Sequence, residues 1–200
     1  MPDPQPIKRL PLPTSPAKVN LAGPAIRYAE LHCCTNFSFL EGASHPDELV
    51  ARATELGYAA LAITDRASLA GVVRAHVAAK EAGLKLVIGA TIVPVDASPL
   101  LLWATDRAAY GRLSTLLTLG RRAAPKGECL LTFDDIARHA EGLLAGALLG
   151  WMPGSPQASL RTCEVRNPAG SLRSPAGLLR YYHDLFADRC YAVAELHRGQ

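Results

Sequence analysis

Two hydrophobic rhythms alternate along the chain. Short apolar runs at 27–32, 59–63, 85–88, 91–95, 100–104, 142–150 and 190–197 read as strands. Between them, apolar residues spaced three and four apart predict helices over 46–56, 69–82, 107–122, 132–140 and 176–187. The first helix is expected to bury Leu49, Val50, Ala53 and Leu56 and to stop at Gly57. The second places Val72, Val73, His76, Val77 and Ala79 on its apolar face before Gly83 ends it, which makes His76 a core or boundary residue. The third turns Leu113, Leu116, Leu117 and Leu119 inward.

Polar residues mark the boundaries. Ser44 with Asp47 three positions on, and Thr132 with Asp135, read as capping boxes, and Asp106 reads as an N-cap. The 59–63 run is apolar throughout, as in a parallel strand covered on both faces. Gly89 is expected to break the third strand, and Pro94 to place the next one at an edge or bulge. The strand ends fall about one βα unit apart, which suits a parallel α/β barrel.

Composition bounds this picture. Two hundred residues, 49% of them apolar and 20% charged, make one globular domain with a real core. A net charge of +3 is too small to argue for nucleic-acid binding by itself, although residues 151–180 are locally basic. Seven of the fifteen prolines lie in residues 1–25, which are expected to form a disordered tail ahead of a domain at 26–200. Residues 152–177, rich in Pro, Gly and Ser, read as a flexible loop. Five cysteines without a CxxC pair fit a reducing cytoplasm. No signal peptide is expected, and the longest apolar run, 142–151, is too short to cross a bilayer.

The candidate chemistry lies in residues 28–46, YAELHCCTNFSFLEGASHP. A strand that ends in a histidine and two cysteines, then turns into a helix, is how an α/β barrel presents ligands at its C-terminal rim. A half-buried histidine beside two ordinary buried thiols explains the same residues. AALAITDRASLAG (59–71) and GLKLVIGATIV (83–93) supply two more strand ends.

In these stretches, and in LLWATDRAAYGRLSTLLTLGRR and FADRCYAVAELHRG, the chain resembles the PHP (polymerase and histidinol phosphatase) domain of C-family bacterial DNA polymerases, above all the error-prone, damage-tolerant ones. The resemblance implies a distorted (β/α)7-type barrel, here incomplete at its C-terminus. It also implies a metal rim, with HxH after the first strand, TDH after the second, and a glycine followed two residues later by Glu after the third. This sequence has His32 and Cys34, then Asp65 followed by Arg66, then Gly89-Ala90-Thr91. A guanidinium repels a cation, so the rim is expected to be vestigial, with Arg66 lying against Asp65 or Glu41 in place of an ion. His32, Cys34 and Asp65 are the weak candidates for holding one zinc ion. Glu41, Glu195 and His197 are second-rank rim residues.

Polymerase chemistry requires carboxylates that hold two magnesium ions. The resemblance places these downstream, and no such set or glycine-rich phosphate loop is found here. No catalytic residue is therefore assigned. The implied role is a structural N-terminal region of a damage-tolerant polymerase, packed on its palm and thumb and near DNA, with no membrane partner. A free-standing metal-dependent phosphoesterase is the alternative, and a proofreading exonuclease a third reading.

Overall fold

The computed structural model describes residues 27–148 and 175–193. The expected tail at 1–25, most of the expected loop at 152–177, and Glu195 and His197 lie outside the described residues. Six strands, β1 (Ala29–Glu30), β2 (Ala60–Ile63), β3 (Lys85–Ile92), β4 (Leu100–Ala104), β5 (Leu143–Leu148) and β6 (Cys190–Val193), form one sheet in chain order. The helices are α1 (Pro46–Glu55), α2 (Val72–Ala82), α3 (Arg107–Arg122), α4 (Phe133–His139) and α5 (Pro175–Phe186). Among the described residues, no helix is long and apolar enough to cross a membrane.

The sheet is mixed, which corrects the all-parallel expectation. β1, β2 and β3 run parallel, β4 is antiparallel to both β3 and β5, and β6 is parallel to β5. The cause is the short link at 93–99, which has no room for the crossover that a parallel neighbour needs. Nor does Gly89 break the third strand. Lys85–Ile88 pair with β2, and Gly89–Ile92 pair with β4, so one continuous strand changes partner at the glycine. The expected 91–95 strand is absorbed, because Thr91 and Ile92 finish β3 and Pro94 falls in the link.

Trp103 explains the glycine. A Cβ at Gly89 would lie 2.6 Å from the Leu102 carbonyl oxygen and 2.8 Å from Trp103 Cδ1, and one at Gly146 would lie 2.5 Å from Trp103 Cη2. The indole thus lies along β4 with a glycine on each flanking strand. Its N–H donates to the Leu31 carbonyl at 2.9 Å. Leu31 directly follows β1, two strands beyond Trp103's neighbour β3, so this bond spans the curl of an incomplete barrel. Trp103 packs with Ala62 and Leu101 on the inner face. On the outer faces, Leu61 and Ile63 meet α1 and α2, while Leu100, Leu102, Leu143 and Ala145 meet α3, α4 and α5.

Local signals at the helix ends hold up, with one shift. The Asp106 carboxylate accepts from the Ala109 N–H at 2.7 Å, and Thr132 and Asp135 form their reciprocal cap. Gly83 adopts φ 67° as the C-cap of α2. α1, however, is capped at His45 and not at Ser44, with Glu48 accepting from the His45 N–H at 2.9 Å. Pro46 fixes this, since proline favours the first helical position and holds the residue before it extended.

The apolar faces of two helices also need correction. α2 buries Val72, Ala75 and Ala79, leaving Val73, His76 and Val77 exposed. Small alanines let it lie close to α1, where the larger valines would hold it off. In α3 the inward stripe is Ala109, Leu113, Leu116, Leu117 and Gly120, and Leu119 points outward. Leu56 lies past the end of α1 and is half exposed. β6 pairs with β5 on one side and is the outer strand among those described. It is preceded by α5, whose Tyr182 and Phe186 are fully buried, the Tyr182 hydroxyl donating to the Ser98 carbonyl.

Candidate functional site

The ends of β1, β2 and β3 meet the loop at 33–44, and Asp65 lies at the centre. Its carboxylate is 1% exposed. Oδ1 accepts from the Thr35 N–H and from the Ser38 hydroxyl, both at 2.7 Å, and Oδ2 accepts from the Thr35 hydroxyl at 2.8 Å. A buried carboxylate is tolerable only when donors surround it in this way. Ser38 Oγ in turn accepts from the Arg66 N–H at 2.9 Å, and Thr35 Oγ1 from the Phe37 N–H at 3.1 Å. Two glycines make room. A Cβ at Gly42 would lie 2.1 Å from the Thr35 carbonyl oxygen, and one at Gly71 would lie 2.9 Å from Asp65 Oδ2.

The rim residues of the first two strand ends gather around Thr64. His32 Nδ1 is 2.8 Å from the Thr64 hydroxyl, and Cys34 Sγ is 3.8 Å from the Thr64 carbonyl oxygen, which also accepts from the Thr91 hydroxyl at 2.8 Å. Thr91 and Arg66 continue the β2–β3 register as an isolated bridge. Arg66 does not pair with Asp65. Its guanidinium turns outward and donates to Glu41 at 3.1 Å, in a partly exposed ion pair. Adjacent residues therefore face opposite ways, as they do in any extended segment. The second-rank rim candidates Glu195 and His197 lie outside the described residues.

The donors present do not fit a divalent ion. Both oxygens of Asp65 are engaged by donors of the loop, the neighbouring position is a cation, and a hydroxyl stands at Thr91. Among the described residues, no three His, Cys, Asp or Glu side chains come together as a metal would require. The Cys33 thiol is pushed up to about 12, first by burial and then by the negative charge of Glu30, so it is a protonated, inert group at neutral pH. Thr35, Ser38 and Gly71 were not singled out in the sequence. The hydroxyls of the polar turn were the available signal, but nothing local connects them to a residue beyond the next helix.

Fold and site together define an incomplete α/β barrel with a rim built from the C-terminal ends of its first three strands. The chain belongs to the PHP domain family, which matches residues 30–196. It is 51% identical over 88% of its length to an error-prone DNA polymerase of Rhodopirellula baltica, and 62% identical over 59% of its length to that of Aromatoleum aromaticum. It spans only 15% and 11% of those two proteins. Among solved structures, a metal-dependent phosphoesterase from Bifidobacterium adolescentis matches with a TM-score of 0.54 at 18% identity, covering 86% of this chain and 87% of that one. That likeness concerns the fold alone.

Proposed function

We propose that this chain is the PHP region of an error-prone DNA polymerase and serves DNA synthesis past damage as a structural element. In this reading the domain packs on the palm and thumb of the polymerase, beside the DNA, in the cytoplasm. The magnesium-binding carboxylates belong to the polymerase domain, and this region requires no metal of its own. The observation that carries the reading is the state of Asp65. The carboxylate that would ligate a cation in a complete rim accepts three hydrogen bonds from Thr35 and Ser38 and fastens a loop instead. Arg66 and Glu41 neutralise one another at the mouth of the same rim. His32, Cys34, Asp65, Arg66 and Thr91 are thus a vestigial metal rim, with Glu41 as an accessory member and Glu195 and His197 as candidates on the last predicted strand.

A metal-dependent phosphoesterase is the competing reading. Cys34, Arg66 and Thr91 stand against it, because each replaces a group that would hold or bridge cations. Elemental analysis of the purified chain separates the two. The vestigial reading expects no stoichiometric divalent ion and no hydrolysis of a phosphomonoester with zinc or manganese added. A bound ion that is lost on replacing His32 or Asp65 overturns it. Primer extension by the chain alone, above a mock-purified control, would show that the polymerase chemistry is not confined to other domains.

A further inference from the structure

We propose that the tip of the rim loop, Phe39 and Leu40 with Phe37 beside them, is a preformed knob that docks into an apolar socket on the polymerase body. Phe39 is 83% exposed, Leu40 91% and Phe37 41%. Loop tips are ordinarily polar and mobile, and large apolar side chains standing together in water mark a contact surface. This tip is held in place. The Ser38 N–H donates to the Thr35 carbonyl, and the N–H groups of Glu41 and Gly42 both donate to the Ser38 carbonyl, at 2.9–3.0 Å. Below them, Asp65 grips Thr35 and Ser38, and Arg66 grips Glu41. Leu40 sits at φ 64°, a left-handed conformation that is unfavourable for a leucine and survives only where its surroundings impose it. Asn36 Oδ1 at the base is buried without a hydrogen-bond partner. A buried carboxylate, a strained leucine and a close-packed glycine are thus all used to hold two apolar side chains outward.

The inference rests on the polymerase reading, which supplies the occupant. The relatives devote only 15% and 11% of their length to the region matched here, so most of the polypeptide is available to cover the knob. A second copy of the chain fits less well. Three side chains offer roughly 500 Å², short of the about 800 Å² that each partner gives a stable complex. A domain tethered in the same polypeptide escapes most of the entropy cost of association, so a small apolar knob suffices.

The test uses the Rhodopirellula baltica polymerase with its matching region replaced by this chain, alongside the 200-residue chain alone. Hydrogen exchange is followed at the Phe39 and Leu40 amides, and Phe39→Ser/Leu40→Ser is made in both proteins. Docking predicts at least tenfold slower exchange in the chimera than in the isolated chain. The double variant should lower the urea midpoint of the chimera and leave that of the isolated chain unchanged. Equal exchange in a chimera that extends primers overturns docking alone, whereas failure of the unmodified chimera to extend primers counts against the polymerase reading beneath it. Three further outcomes also overturn the proposal. Protection already present in the isolated chain means its own residues cover the knob, and protection that grows with concentration means a second copy does. Unfolding of the isolated double variant means the side chains are structural.

Discussion

Thr35 and Asp65, thirty residues apart, are joined twice: the Thr35 N–H donates to Oδ1 at 2.7 Å and its hydroxyl to Oδ2 at 2.8 Å. Removing the hydroxyl while keeping the shape, with Thr35→Val, should cost about 1.5–3 kcal/mol, since the bond is to a buried charge. Arg66→Met breaks only a partly exposed ion pair and should cost no more than about 1 kcal/mol. Urea denaturation of the two variants gives the order. A larger loss from Arg66 would mean that the ion pair, and not the Asp65 network, holds the rim.

Gly89 and Gly111 should respond in opposite directions to alanine. At Gly89 the new methyl meets the backbone oxygen of Leu102 and the ring of Trp103, so Gly89→Ala should destabilise by about 1–3 kcal/mol and shift tryptophan fluorescence. Gly111 lies within α3, where an added methyl would project into open space. There, Gly111→Ala should stabilise by about 0.5–1 kcal/mol through helix propensity. Thermal melts of the two variants check both signs.

The buried thiols set the alkaline limit. Cys33 is raised from its ordinary 9.0 to about 12, and burial raises Cys129 and Cys190 as well. The unfolded chain loses these protons first, so their contribution to stability is complete below pH 9 and falls away as pH rises from about 9 towards 12. Asp135 works at the other end. The Thr132 hydroxyl lowers its pKa, so its contribution is present above the ordinary carboxylate range and is lost as pH falls through the depressed value. Urea midpoints across pH should show both slopes, and Thr132→Ala should flatten the acidic one.

Rebuilding the rim tests why it does not fit a metal. Arg66 and Thr91 are bridge partners, and Cys34 and Thr91 share the Thr64 carbonyl, so the three altered positions border one point. Cys34→His/Arg66→His/Thr91→Glu should bind zinc by titration calorimetry on the order of tenfold or more tighter than Arg66→His alone. Equal affinities would show that Asp65, held by its loop, is what blocks the site.

Legibility in the sequence followed the range of the interaction. The caps at Asp106 and Thr132 were readable because donor and acceptor lie three residues apart. The rim positions His32, Cys34, Asp65, Arg66 and Thr91 came from the family resemblance, which sets their places after the first three strands, and not from periodicity. The partners of Asp65 were not, since Thr35 and Ser38 reach it across α1. The direction of β4 depended on the length of a link, and the buried face of α2 on whether alanine or valine packed closer to α1. Periodicity alone decides neither. Gly89 carried a signal that admits two causes: a break, or a close approach by Trp103.

The chain order of the sheet also bears on how the protein is made. Each strand takes as its first partner the strand before it, so a ribosome releasing the N-terminus first delivers every new strand to a waiting edge. The half of β3 from Gly89 to Ile92 waits only for the seven-residue link before β4 arrives to pair with it. Loops of about that length close in well under a microsecond, against tens of milliseconds or more to synthesise each residue. Nascent β3 therefore waits for its partner only as long as the link and β4 take to be synthesised, the shortest such wait between successive strands of the sheet.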